Sequence, residues 1–324
     1  MRKLLFMCMA TAALMAAKAG IAQQAPAAPA APGAPGGPSA QAGNPFPIAK
    51  LTAGVLWVEG GGGSSGVIIG EKGVIVVDVK MTQVDGNRLL DDISKATYKP
   101  ITTVILTHSD LDHIGGLVAF PKPFTIIGTA KCKQEMEDAI AAHDPKAGTP
   151  ASYPTQFVKG TREDLTIDGV KLELLAFGGG HTGGDLMVYL PEKKLVFAGD
   201  ILTMTRTHPL IHAEKGGTSE GYIAMLKGLL SLDADIFVPG HGKEVVARPA
   251  VQKMLDDLVA ERKQIKEMIA QGKSLQEIEA ATGDPTQEEA HPTGRVPYFP
   301  PLAEVIYNEF TKGAKSAKAG AKKL

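Results

Sequence analysis

Four ligand-type side chains, His108, Asp110, Asp112 and His113, fall within six consecutive residues of this sequence. They lie in Thr107-His108-Ser109-Asp110-Leu111-Asp112-His113-Ile114-Gly115-Gly116, directly after the apolar run Thr103–Leu106. Such a run must be buried on both faces, and isolated charges at its end cannot join a core without partners. The cluster therefore either faces solvent as a polar loop or converges on a cation. Three further residues occupy similar positions. His181 lies in Gly178-Gly179-Gly180-His181-Thr182-Gly183-Gly184-Asp185, after an apolar run ending at Phe177. Asp200 follows Leu195–Ala198 in Ala198-Gly199-Asp200, and His241 follows Ile236–Val238 in Pro239-Gly240-His241-Gly242. Each run ends in glycines, which permit close backbone approach and positive φ, and in one imidazole or carboxylate. A single strand-end histidine is usually hydrogen-bonded and inert. Four such ends, using four of the eight histidines, point to shared metal chemistry at the strand edge where α/β folds hold their sites.

The elements that must position these residues come in two successive sets. β-rich runs at Ile48–Thr52, Val55–Val58, Gly66–Ile69 and Val74–Asp78 precede a helical pattern at Gly86–Ala96. The strand Thr103–Leu106, a short helix from Ile114, a strand at Phe124–Ile127 and a helix at Lys131–Ala142 follow. The second half repeats the scheme with strands at Leu165–Ile167, Val170–Phe177, Leu186–Leu190 and Leu195–Ala198, a helix at Glu220–Leu230 and a last strand at Ile236–Val238. This order predicts a layered α/β protein with two packed sheets and helices on the outer faces. Beyond it, Val251, Met254, Leu255, Leu258, Ile265, Met268 and Ile269 recur at helical spacing up to Gly272. Ser274 and Glu277 form a capping box that starts another helix. These C-terminal helices read as packing.

The chain divides at composition shifts. Residues 1–22 read as a secretory signal peptide: Arg2 and Lys3 precede the apolar run Leu4–Ala17, which is shorter than the ~20 residues a bilayer span needs. Residues 23–44 are Ala, Pro and Gly with almost nothing to bury, the composition of a disordered linker. Residues 45–247 carry the α/β pattern, 248–311 the helical extension, and 312–324 a basic flexible tail. Loss of Arg2, Lys3 and Lys18 with the signal takes the formal charge from −1 to three lower, −4, which argues against nucleic acid as a partner. Cys8 leaves with the signal, so Cys132 stands alone without an intramolecular disulfide and reads as a small buried hydrophobe. The expected location is the periplasm or the medium, with no stable membrane insertion after cleavage. The run Gly60–Gly63 lacks the Gly-Lys-Ser/Thr of a phosphate loop and is expected to be a mobile flap beside the site. Trp57 reads as core or flap packing, and His143 and His291 as surface residues.

Taken in order, the His108–His113 loop, GGGHTGGD, AGD and PGHG resemble the metallo-β-lactamase superfamily, including its glyoxalase II-like hydrolases, over Phe46 to Val246. The resemblance implies a four-layer αββα sandwich with the site at one edge. It implies two divalent metal ions, zinc above all: His108, Asp110 and His181 on the first, Asp112, His113 and His241 on the second, Asp200 bridging. It gives Asp78 a supporting place behind the metal loop. His208 and His212, in the loop after Asp200, are candidates for substrate contact. The expected reaction is hydrolysis of an ester, lactone, amide or related bond of a small-molecule substrate by a metal-bound hydroxide, with Asp112 and Asp200 as the catalytic carboxylates. One departure matters. The family pattern is HxHxDH, and Asp110 stands where its second histidine is usual. A carboxylate is a harder ligand, which opens the site to iron or manganese. Flavodiiron proteins carry an acidic residue there, so a di-iron oxidoreductase is one alternative. A β-lactamase proper is another, although Ile201–Thr205 offers no lysine for a substrate carboxylate. A non-catalytic metal-binding module is the third.

Overall fold

The computed structural model describes residues 45–141, 153–283 and 299–321. The signal peptide, the linker, His143 and His291 lie outside the described residues.

Strands β1 (Ile48–Thr52), β2 (Val55–Val58), β3 (Ser65–Ile69) and β4 (Val74–Val77) form an antiparallel meander. After helix α1 (Gln83–Ala96), strand β5 (Ile101–Ile105) pairs parallel to β4. The short helix α2 (Leu111–Ile114), strand β6 (Thr125–Gly128), helix α3 (Ala130–Ala141) and strand β7 (Gln156–Phe157) complete a seven-stranded sheet in the order β1 to β7. The second sheet holds β8 (Arg162–Ile167), β9 (Val170–Leu175), β10 (Met187–Leu190) and β11 (Leu195–Phe197), with helix α4 (Ser219–Ser231) before β12 (Ile236–Val238). Its order is β12-β11-β10-β9-β8, and only the β11–β12 pair is parallel. Helices α5 (Arg248–Ala270), α6 (Leu275–Thr282) and α7 (Leu302–Ala321) end the described chain.

Period-two alternation sorts the side chains into layers. Ile75 and Val77 of β4 face the second sheet, where Val188, Leu190, Leu195 and Phe197 meet them. Val74 and Val76 face the other way, onto Leu89 and Ile93 of α1 and Met136 of α3. Met187, Tyr189 and Val196 point outward from the second sheet onto α4, α5 and α7. The result is the expected αββα sandwich. Cys132 is fully buried in α3, as expected, and burial raises its thiol pKa well above the ordinary value.

Helix starts follow capping chemistry. Thr82 accepts from the Asp85 N–H and so begins α1 three residues before the expected Gly86. Thr218 does the same for α4, and Ser274 with Glu277 closes the expected capping box of α6. Helix α7 begins inside the expected helical extension, which gave it no bounds of its own, and residues 312–321, expected in the basic tail, continue its helical backbone. Its first turns pack Leu302, Val305 and Ile306 into the same core as α5. Among the described residues no helix is long and apolar enough to cross a membrane.

Candidate metal centre

Strand β5 delivers the first part of the centre. Beyond Ile105 the chain leaves the sheet, Asp110 takes the N-cap position of α2 without a side-chain capping bond, and His113 lies in that helix's last turn. His108 and His113 are buried. Gly115 and Gly116 follow because nothing larger fits. A Cβ there would lie 1.8 Å from the Met81 oxygen and 1.9 Å from the Val79 oxygen. The segment pressed against them carries Asp78 in the left-handed region at φ +56°. Asp78 is buried and accepts from the Thr107 N–H at 2.8 Å and the Thr107 hydroxyl at 2.7 Å.

The rear nitrogens of three imidazoles are tied down. His113 Nδ1 lies 2.7 Å from Asp78 Oδ2, and His181 Nδ1 lies 2.8 Å from the Leu210 carbonyl. His108 Nδ1 lies 2.9 Å from Thr107 Oγ1. That hydroxyl already donates to Asp78, so it accepts from His108 and leaves Nε2 with a lone pair. Such bonds fix ring orientation and tautomer in metal-ligating histidines. The forward nitrogens converge. Asp110 Oδ2 is 3.1 Å from His181 Nε2 and 3.8 Å from His108 Nε2. Asp112 Oδ2 is 3.1 Å from His241 Nε2 and 3.8 Å from His113 Nε2. Asp200 reaches both sets: Oδ1 is 3.1 Å from His113 Nε2, and Oδ2 is 3.3 Å from His241 and 3.8 Å from His181. Among the described residues, three groups have donor atoms all within 4.8 Å of one another: His108/Asp110/His181, Asp112/His113/His241 and His108/His113/Asp200.

A model of the Metallo-beta-lactamase superfamily matches residues 58–241. The chain belongs to the metallo-β-lactamase superfamily. The alpha subunit of 2,4-dinitroanisole O-demethylase from Nocardioides sp. (strain JS1661) is 29% identical over 54% of this chain and 51% of that protein. Linear primary-alkylsulfatase of Pseudomonas sp. (strain ATCC 19151) is 24% identical over 57% of this chain and 42% of that protein. The chain thus spans about half the length of these two curated relatives. Among solved structures, the sec-alkylsulfatase Pisa1 from Pseudomonas sp. superposes with a TM-score of 0.64 at 17% identity, over 82% of this chain and 50% of that chain. The DIM-1 metallo-beta-lactamase gives 0.54 at 19% identity, over 67% and 98%. At these identities the structures show a shared fold.

The residues of this superfamily member could hold divalent metal. His108 Nε2 is buried with no hydrogen-bond partner, although its donor-free lone pair faces the cluster. Three carboxylates and four imidazoles form a mixed N/O donor set of the kind divalent metals take. The flanking glycines follow from the crowding. A Cβ at Gly240 would lie 2.0 Å from Asp200 Oδ1, and one at Gly63 would lie 2.3 Å from His113 Nε2. Gly60 to Gly63, expected as a mobile flap, is a pinned turn. Gly61 accepts from the Met81 N–H at 2.9 Å, Gly63 N–H donates to the Asp112 carbonyl at 3.0 Å, and buried Lys80 donates to Val58 and Gly63 carbonyls at 2.6 and 3.1 Å.

The two candidates for substrate contact separate. His208 turns to Glu261 of α5, with Nε2 3.8 Å from Oε2, and joins none of the donor groups. Its position after Asp200 gave no hint that α5 would claim it. His212 does reach the centre: Nε2 is 3.1 Å from Asp110 Oδ2 and Nδ1 is 2.6 Å from Glu214 Oε1. Phe299, from the C-terminal segment, sits against its ring at 5.1 Å. Sequence reasoning passed over Lys215, whose ammonium is hydrogen-bonded to Asp110 Oδ1. It also passed over Asp185, which organises the His181 loop by accepting from the Gly180, His181 and Thr182 N–H groups at 2.9, 2.7 and 2.9 Å. Asp185 stood in the quoted GGGHTGGD motif. Lys215 lies in irregular chain, where no period marks it.

Without cations the cluster is an ion-pair network. Burial opposes the charges of Asp110 and Asp200, yet His212 and His181 for the first, and His113 and His241 for the second, hold both well below the usual carboxylate range. Burial also opposes protonation of His212 and His241, but Asp110 and Asp200 raise each to about 9. A raised imidazole pKa gives stability that is full below the unfolded value of ~6.5 and lost as pH rises through the folded value. The depressed carboxylates contribute evenly across that window. Lys80, lowered by burial to about 7, gains stability there, but does so with or without cations. The informative quantity is therefore the gap in melting temperature between loaded and chelator-treated protein. It will widen by roughly 5–10 °C between pH 6.5 and pH 9. Calorimetry of both forms at the two pH values checks this, and a constant or narrowing gap contradicts it.

Proposed function

We propose that this chain is an exported hydrolase that holds two divalent cations, zinc in the first reading, and cleaves an ester, lactone, amide or related bond of a small-molecule substrate. The observation that carries it is the convergence of seven donors in two sets that share Asp200, with His108 Nε2 buried and otherwise unpartnered. Cations bound there would acidify water and polarise the scissile bond. Asp112 supports the protein's share of the work. Its side chain is partly exposed, and His113 and His241 outweigh burial to keep its pKa below the ordinary value. An ionised carboxylate in that place can orient a water molecule and carry a proton to the leaving group. Asp200 holds the two sets in register. The names of the relatives span an aryl methyl ether, alkyl sulfates and β-lactams, so the class of bond rests on the site and not on likeness. Export belongs to the same proposal and rests on Arg2, Lys3 and the apolar run after them.

Asp110 favours a second reading, a di-iron oxidoreductase on the same fold, because a carboxylate suits a harder cation than imidazole does. Elemental analysis separates the two. The hydrolase reading expects close to two zinc ions per chain in the purified protein and in Asp110→His. It also expects turnover of at least one lactone, β-lactam, sulfate-ester or phosphate-ester probe, abolished by chelator and restored by zinc. Iron in place of zinc, lost or exchanged in Asp110→His, would make redox chemistry the leading reading. N-terminal sequencing of protein from the medium or periplasm tests the export step.

A further inference from the structure

We infer that Lys215 is the positioning residue that makes Asp110 usable as a ligand, the carboxylate and the ammonium acting together as one neutral unit in the first cation site. The inference rests on the proposed cation pair. Asp110, Asp112 and Asp200 put three carboxylates into one buried cluster, and each adds negative charge that must be balanced. Asp112 and Asp200 are shared among His113 and His241. Asp110 is treated differently. Its two oxygens face opposite partners: Oδ1 accepts from Lys215 Nζ, and Oδ2 faces His181 and His212 at 3.1 Å and His108 at 3.8 Å. An ammonium on one oxygen fixes the rotation of the carboxylate and leaves the other oxygen turned to the imidazoles.

The backbone shows that Lys215 is placed and not merely nearby. It ends the 3₁₀ turn Ala213–Lys215, closed by Gly216 at φ +90°. That turn is stitched to the loop carrying His181 at both ends. His212 N–H donates to the His181 carbonyl at 2.7 Å, and Gly183 N–H donates to the Lys215 carbonyl at 3.1 Å. The loop that supplies His181 is therefore tied to the turn that supplies the counter-charge for Asp110. His212, held by Glu214 from behind, completes the bracket around Oδ2.

A thermodynamic cycle tests the coupling. Zinc is titrated into the cation-free full-length protein in competition with a chromophoric chelator, for Lys215→Met in three backgrounds: Asp110, Asp110→Asn and Asp110→His. With Asp110 present, Lys215→Met is expected to weaken one of the two binding steps by about 10–100-fold, the usual cost of removing an outer-shell partner. In the two neutral backgrounds the same change is expected to cost less than about threefold, since there is no charge left to balance. Two neutral backgrounds guard against one failing to fold. Equal losses with and without the Asp110 charge overturn the inference, and so does an unchanged affinity in the Asp110 background. Wild-type protein that binds no zinc would sink the proposed function itself, whereas two bound zincs with no effect of Lys215 sink only this inference.

Discussion

On the proposed function, Asp200→Ala will lower kcat/KM by about 10²–10⁴-fold and reduce the bound cations from two to one or none, a larger loss than any other single donor should give. The reason is geometric. Every other donor belongs to one of the two proposed sets, whereas Asp200 stands 3.1 Å from His113, 3.3 Å from His241 and 3.8 Å from His181. Its removal takes a ligand from both sets and leaves the facing imidazoles without their shared counter-charge. The fold should survive the change, because the backbone there is held independently. The Tyr222 hydroxyl donates to the Asp200 and Ile201 carbonyls at 3.0 and 2.9 Å, and Gly240 N–H donates to the Gly199 carbonyl at 2.9 Å. Gly199 itself sits at φ +54° with Thr107 against it, so the turn does not depend on the carboxylate. Asp200→Asn separates charge from shape: it keeps the volume and should lose nearly as much activity. Metal analysis and turnover of the same probe read both effects. A variant that keeps two cations and stays within tenfold of wild type would show that Asp200 is not shared.

The parts of this centre that were legible in the sequence are those built on regular structure. Strands read as short apolar runs bounded by Gly or charged residues, and every strand-end candidate ligand follows from where such a run must stop. His108, Asp200 and His241 each lie just past one, and His181 follows β9 through the glycine loop. The layers were legible for the same reason: Ile75 and Val77 alternate with Val74 and Val76, and two facing sheets are what such a pattern can bury. What stayed hidden depends on contacts between loops. His208 and His212 look alike in sequence, yet one meets Glu261 of α5 and the other Asp110. No local rule foretells that. Gly60 to Gly63 suggested freedom because glycine has it in an unfolded chain. Here the same residues are needed for positive φ and for close approach to Asp112 and His113, and Lys80 pins the turn from below. Lys215 left no trace because a single lysine in a loop acquires meaning only when a carboxylate from another loop arrives beside it.

Ending the chain at Ala247 will leave a protein that does not fold, although all seven donors precede that residue. Among the described residues, the C-terminal helices supply more than a third of the buried core on that side. Val251, Leu255, Leu258 and Ile265 of α5 and Leu302, Val305 and Ile306 of α7 pack with Met225, Leu226 and Leu229 of α4 and with Phe237 and Tyr189 of the second sheet. Each side chain of this size contributes roughly 1.5–3 kcal/mol when fully buried. Uncovering the faces they meet exceeds the roughly 5–15 kcal/mol by which a domain is stable. The helices also finish the ends of α4. Arg248 donates to the carbonyls of Leu230, Leu232 and Ala234 at 2.7, 2.6 and 2.9 Å. Glu309 of α7 accepts from the Ser219 N–H at 2.7 Å, and Arg262 of α5 donates to the Ser219 hydroxyl at 2.8 Å. That N-terminal end of α4 is the support of the His181 loop: Thr218 N–H donates to the Gly179 carbonyl at 3.1 Å, and a Cβ at Gly221 would lie 1.8 Å from that same oxygen. The path from α5 and α7 to the candidate ligand His181 is therefore two contacts long. Soluble yield and a thermal transition followed by circular dichroism check the truncation, with Leu258→Ala as the graded version. That substitution should cost about 2–5 kcal/mol and lower the melting temperature by roughly 5–15 °C while leaving zinc stoichiometry intact. A soluble truncated chain that melts cooperatively within a few degrees of wild type would show that the second sheet and α4 can bury their outer face unaided, and the helices would then be an appendage after all.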